Sequence, residues 1–160
     1  MKLNMKRIFI VNESAGRGKS KKIIPNIENE CKNQSKWKRR NSFLLCAVIC
    51  TEYITKEKSG YDIALEYKDK EYVIYVVGGD GTLTLVLPAL VGTKKKLGII
   101  PSGSGNDTYR TIKNLPNKET LIDIGKINDK YFINVACTGI DAEVANNIDK
   151  LRNTIIPTSQ

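Results

Sequence analysis

Four apolar runs, each followed at once by small or polar residues, set the architecture open to this chain. They cover residues 7–11, 43–51, 72–77 and 97–100. The run at 43–51 has the continuous apolar character of a strand buried on both faces. Helical patterns lie between the runs. In residues 19–31, Ile23, Ile24 and Ile27 recur at helical spacing, with Pro25 kinking the helix or marking its first turn. Residues 61–67 put Ile63, Ala64 and Tyr67 on one side. A third helix is expected to open near Thr82 and run through 83–91, with Pro88 disturbing its second half. Strands alternating with helices require right-handed crossovers and a parallel sheet covered on both faces. The expected fold is α/β, a three-layer parallel sheet. Ligands of such sheets sit at the carboxyl ends of strands, which directs attention to the loops after Val11, Thr51, Val77 and Ile100.

Beyond residue 120 the pattern changes. Residues 121–125 and 130–137 read as two strands joined by the polar turn Asn128-Asp129, a hairpin signal. Residues 1–120 are therefore expected to form one domain. Residues 121–160 would begin a β-rich, sandwich-like second domain, too short to bury a core of its own.

Composition narrows the chemistry. There is no histidine, so Ser-His and Cys-His nucleophile pairs are excluded. The four cysteines, Cys31, Cys46, Cys50 and Cys137, show no Cys-x-x-Cys spacing, which argues against a zinc site. The formal net charge is +9, with much of the excess between Arg17 and Arg40. Such a surface attracts nucleotides, nucleic acid or anionic lipid headgroups, or it is simply a solvated helix face. Trp37 is the only aromatic residue set within that basic cluster, and no nucleic-acid-binding motif accompanies it, so nucleic acid is not an expected partner. No apolar run is long enough to span a bilayer, and residues 1–7 lack the core of a secretory signal. A cytoplasmic protein is expected, with peripheral contact to an anionic membrane and a homodimer both left open.

The loops carry the sharper signals. Residues 12–20 read NESAGRGKS and end like a P-loop. A P-loop needs a glycine five residues before the glycine of Gly-Lys-Ser, and that position is Glu13. A dinucleotide fingerprint needs a third glycine where Lys21 stands. What remains is a tight turn with amides near a helix start, either a modest anion site or an ordinary βα turn. After Val77 comes Gly78-Gly79-Asp80-Gly81-Thr82. Its glycines let backbone amides approach a ligand, Asp80 stands at the strand tip, and Thr82 is placed to cap the next helix. A carboxylate beside an anion-binding nest suits a Mg²⁺ ion bridging Asp80, through water, to a phosphate. The plainer reading is a capped tight turn. After Ile100, Pro101-Ser102-Gly103-Ser104-Gly105-Asn106-Asp107 again alternates glycine with hydroxyls, with Asn106 or Asp107 available to cap residues 108–112. Beside the other glycine loop it reads as the second wall of one crevice.

These two loops, with Asn12-x-Ser14-Ala15-Gly16 and Phe132-Ile133-Asn134-x-Ala136-x-x-Gly139, resemble the catalytic domain of the diacylglycerol kinase family, its soluble bacterial members above all. The likeness runs from Arg7 to about Ala145. The Gly-Gly-Asp-Gly-Thr loop is shared with NAD kinases; Gly-Ser-Gly-Asn-Asp shifts the balance to the lipid kinases. The resemblance implies a nucleotide-binding domain and transfer of the γ-phosphoryl of ATP to a lipid hydroxyl, with Mg²⁺. It implies that Asn12, Glu13, Ser14, Ala15 and Gly16 form a first nucleotide-contacting turn, that Gly78, Gly79, Asp80, Gly81 and Thr82 form the triphosphate loop, and that Ser104 contacts nucleotide. It matches Thr51, with Thr55 as the alternative, to a threonine after the second strand. Asp80 is the expected catalytic and metal-organising residue, with the general base expected in a longer second lobe. Leu85 departs from the family, which has a polar pair after the glycine loop. A nucleotide- or anionic-lipid-binding module without transfer, and an NAD kinase, are the rival readings.

Overall fold

The computed structural model describes residues 6–38, 49–116 and 119–136, with Glu143 and Asn147. Its elements follow in the order β1 (Lys6–Val11), α1 (Ala15–Lys38), β2 (Ile49–Tyr53), α2 (Gly60–Tyr67), β3 (Tyr72–Gly78), α3 (Asp80–Val86), a 3₁₀ turn (Leu87–Ala89), β4 (Leu97–Pro101), α4 (Asp107–Ile112), β5 (Gly125–Ile127) and β6 (Lys130–Phe132). The first four strands form one sheet in the order β2-β1-β3-β4, and every pairing is parallel. The expected α/β fold is the observed one.

Strand alternation explains the layers. Successive side chains of a strand point to opposite faces. Ile8 and Ile10 of β1, with Ile74 and Val76 of β3, are fully buried on one face beneath α2 and α3, where Ile63, Ala64, Leu83 and Val86 meet them. Phe9, Val11 and Val77 face the other way and are covered by Ile23, Ile24 and Ile27 of α1. Phe9 stacks on its cross-strand partner Tyr75, with ring centroids 5.2 Å apart. Each fully buried aliphatic side chain here contributes roughly 1.5–3 kcal/mol.

Several boundaries differ from the sequence reading. Strand β2 ends at Tyr53 rather than Thr51, and residues 43–48 of the expected strand lie outside the described residues. Cys46 and Cys137, and Gly139 of the second-lobe motif, lie outside them too. Pro25 is inside α1, but the break in helical backbone comes earlier, at Gly16, Arg17 and Gly18. The hairpin forms around Asn128-Asp129 with shorter and shifted strands: residues 121–124 do not pair, and β6 stops at Phe132. Asn128 takes φ 51°, a left-handed conformation that asparagine tolerates well. Just past the hairpin, Ile133 packs against the main core.

The strand order has a switch point. From β1 the sheet grows one way to β2 and the other way to β3 and β4, and the helices that follow β1 and β3 lie on opposite faces. Crevices at such points receive ligands. The loops after β1 and β3 flank this one.

Candidate functional site

Three loops meet at the carboxyl end of the sheet, and they meet through main chain. The Asn12 amide donates to the Val77 carbonyl at 3.1 Å, and the Ser102 amide to the Gly78 carbonyl at 2.9 Å. A methyl group on Gly79 would lie 2.6 Å from the Gly105 carbonyl oxygen and 2.9 Å from the Gly103 Cα. One on Gly16 would overlap the Ser102 carbonyl oxygen. Only residues without a side chain allow backbones this close.

The first loop turns through three left-handed residues, Gly16 (φ 60°), Arg17 (φ 56°) and Gly18 (φ 83°). Glycine adopts this freely; for Arg17 it costs roughly 1–2 kcal/mol. Right-handed helical backbone resumes at Lys19, and Ser20 is then fully buried, its hydroxyl 2.7 Å from that of Ser102. Asn12 closes the loop on itself and on its neighbour. Its Oδ1 accepts from the Ser14 amide (3.2 Å) and hydroxyl (2.7 Å), while its Nδ2 donates to Thr82 Oγ1 at 3.1 Å. Burial, then the Glu28 and Glu13 charges, push the Tyr53 phenol above its ordinary pKa.

Thr82 does not cap α3. The N-cap is Gly79, with no side-chain cap, and the helix begins at Asp80. Thr82 is buried, folded back against Gly78, and its hydroxyl receives the Asn12 amide instead. Gly81 is open: a methyl group there would meet nothing within 4 Å.

Neither Asn106 nor Asp107 caps α4 with its side chain. The Asn106 amide group closes its own loop, accepting from the Gly103 amide (3.2 Å) and donating to the Gly103 carbonyl (2.9 Å). Asp107 pairs with Arg110 at 2.8 Å. The acceptor at the start of α4 comes from the neighbouring loop. Asp80 Oδ2 receives the Asp107 amide at 2.9 Å and Oδ1 the Thr108 amide at 3.1 Å. Burial pushes the Asp80 pKa up, but those amides, the Thr108 hydroxyl and Arg110 hold it below the ordinary carboxylate value. The Thr108 hydroxyl, close to that carboxylate, is buried without a complete hydrogen bond of its own.

The structure thus brings together Asn12, Ser14, Ala15, Gly16, Gly78, Gly79, Asp80, Thr82 and the Ser102–Asn106 loop, with Ser104 exposed between Gly103 and Gly105. Thr51 stands apart. It lies inside β2 opposite Phe9, two positions before the strand ends. Thr55 occupies the carboxyl end, where its hydroxyl accepts from the Glu57 and Lys58 amides. Leu85 is 45% exposed. The Asp80 link to α4, the Asn12–Thr82 bond and the buried Ser20–Ser102 pair are absent from the sequence reading. Only Ser20 left a signal, sharing helical spacing with Ile23, Ile24 and Ile27.

Among the described residues no three His, Cys, Asp or Glu side chains converge on a metal cage. Mg²⁺ held largely by water and phosphate needs only one or two carboxylates, a requirement Asp80 fits. Among the described residues no helix is long and apolar enough to cross a membrane.

Residues 6–131 match the family model of the diacylglycerol kinase catalytic domain. The chain is 37% identical over 97 residues to a diacylglycerol kinase of Mycobacterium tuberculosis, covering 49% of this chain and 31% of that protein. It is 35% identical over 100 residues to one of Staphylococcus aureus, covering 53% of this chain and 31% of that protein. In fold it resembles the crystal structure of a diacylglycerol kinase from Bacillus anthracis strain Sterne, with TM-score 0.59, 23% identity, and coverage of 81% of this chain and 48% of that one. The chain therefore spans about a third of the length of these sequence relatives and under half of the solved structure.

Proposed function

The chain belongs to the diacylglycerol kinase catalytic-domain family, and from that premise we propose that its three converging loops hold the triphosphate of ATP and present the γ-phosphoryl group to a lipid hydroxyl such as that of diacylglycerol. The observation that carries the proposal is the main-chain contact between the Gly79 and Gly103 loops at the carboxyl end of the parallel sheet. Amides and a helix start gathered in one crevice favour a polyanion.

Phosphoryl transfer asks for position and neutralised charge more than covalent work. In this reading the bond from the γ-phosphorus to the β,γ-bridging oxygen breaks and ADP leaves as the lipid oxygen bonds to phosphorus, its hydroxyl proton passing to solvent. The Gly78–Thr82 and Ser102–Asn106 loops fix the triphosphate. Asn12, Glu13, Ser14, Ala15 and Gly16 line the nucleotide side, and Ser104 donates to phosphate. Asp80 would hold Mg²⁺ through water, and the ion when bound neutralises phosphate charge. With its pKa lowered and both oxygens engaged, Asp80 makes a poor proton acceptor, so its part is organisation rather than general base. The lipid acceptor would be met peripherally at an anionic membrane facing the cytoplasm.

A nucleotide-binding module without transfer is the second reading. The exposed aliphatic Leu85 of α3 favours it, since it offers neither charge nor a hydrogen bond. ATP labelled at the γ-phosphorus, offered with diacylglycerol, phosphatidylglycerol, sphingosine, ceramide, NAD or no acceptor, separates them. Labelled lipid supports the kinase. Label in NAD alone would replace it with an NAD kinase, and nucleotide binding without any product would leave the module.

A further inference from the structure

We infer that Asp80 is a positioning residue whose carboxylate fastens α4 and the Ser102–Asn106 loop to the Gly78–Gly81 loop, fixing the distance between the two walls of the crevice before any ligand arrives. The role rests on the nucleotide reading for its functional consequence, but its structural content stands on geometry alone.

The two bonds involved span 27 and 28 residues of chain, so they join elements that sequence does not hold together. Helix α4 has only six residues and no cap from its own side chains. Its first amides would otherwise be left without acceptors, a recognised weakness of helix ends. Asp80 supplies the missing acceptor, and it does so as a charged group, which strengthens each bond. The rest of the contact between the two loops is close but cannot hold. Glycine against glycine at Gly79, Gly103 and Gly105 gives proximity with almost no side-chain surface to bury. Among the described residues, the main-chain bond joining them outside the strand ladder, from the Ser102 amide to the Gly78 carbonyl, lies at the strand ends. Asn106 makes its loop stiff by bonding Gly103 on both sides, yet that bracing is internal and sets no distance to the neighbouring loop. Beyond the strand ends, therefore, the Asp80 carboxylate carries the link. Each of its oxygens gives one acceptor direction to an amide and keeps another, so fastening the loops and holding a metal through water are compatible.

Two measurements test the inference on the intact chain. The first is hydrogen exchange at the Asp107 and Thr108 amides in the wild type, Asp80→Asn and Asp80→Ala. Asparagine keeps one side-chain acceptor and alanine keeps none, so exchange should quicken in that order, by about tenfold or more for alanine. The second is calorimetric titration with ADP, once in Mg²⁺ and once in EDTA. A positioning role lowers ADP affinity in EDTA as well as in Mg²⁺. Unchanged exchange at both amides in Asp80→Asn and Asp80→Ala overturns the inference, as does an affinity loss confined to the Mg²⁺ titration. If Asp80→Ala does not fold, Asp80→Asn still decides the matter. If wild-type protein binds no ADP, the nucleotide reading fails, and exchange alone decides whether Asp80 fastens α4.

Discussion

Gly79 and Gly103 face each other across the crevice with no room for a single carbon between them: a methyl group on Gly79 would stand 2.9 Å from the Gly103 Cα and 2.6 Å from the Gly105 oxygen. Both obstacles are backbone and cannot swing aside. Gly79→Ala should therefore destabilise the protein by about 1–3 kcal/mol, the usual cost of overpacking. It should also weaken nucleotide binding by forcing the loops apart. Gly81→Ala is the control, because nothing stands within 4 Å of the added carbon. In the first turn of α3 it should be neutral or stabilising by up to about 1 kcal/mol. Chemical denaturation of the two variants reads the contrast.

Asn12 and Thr82 join the first and second glycine loops by one side-chain hydrogen bond, 70 residues apart in sequence. A double-mutant cycle with Asn12→Ala and Thr82→Val should give a coupling of about 0.5–1.5 kcal/mol in stability. Additive single effects would mean that the bond does not hold the loops in solution.

Acid should loosen the start of α2. Ser59 and Asp62 form a reciprocal cap: the Ser59 amide and hydroxyl donate to Asp62 Oδ2 at 3.0 and 2.6 Å, and the Asp62 amide donates to Ser59 Oγ. The Ser59 hydroxyl first, then its amide, hold the Asp62 pKa below its ordinary value. A carboxyl depressed in the folded state stabilises it above the unfolded pKa, near pH 4, and that contribution disappears as pH falls through the folded value. The melting-temperature gap between wild type and Asp62→Asn should be open at neutral pH and narrow below about pH 4. A gap constant across that range would mean that the charge contributes nothing.

The core should discriminate sharply between positions of similar chemistry. Ile74 is fully buried in the sheet centre, and Ile74→Ala should cost about 2–5 kcal/mol. Leu85 is exposed, and Leu85→Ala should stay within about 0.5 kcal/mol. Thermal unfolding of the two variants checks both.

How much of this could be read from the chain alone depended on how local each feature is. Residues 8–11 and 72–77 are apolar or aromatic and are followed by turn residues, so β1 and β3 fall within a residue of their expected limits. Residues 61–67 keep helical spacing, so α2 is equally plain apart from its start one residue earlier, at Gly60. Two glycine loops stand out as candidate walls because glycine after a strand is a local signal, while residues 12–20 read equally as an ordinary βα turn. What bonds the loops does not stand out. Thr82 looked like a cap because threonine before an apolar run usually is one, but a partner 70 residues away claimed its hydroxyl. Asp107 and Asn106 looked like caps for the same reason, while Asp80 took the place from 27 residues upstream. The resemblance matches Thr51, or Thr55, to a threonine after the second strand, and β2 continues two residues past Thr51. Tertiary partners override local preference at Thr82 and at the start of α4.

Peptide units, not side chains, form the floor on which Gly16, Gly79 and Gly103 meet. A lining of amides and carbonyls answers to outline and charge, and has no vocabulary for distinguishing one heterocyclic ring from another. Any selectivity among anions of like outline and charge would have to come from side chains outside that floor.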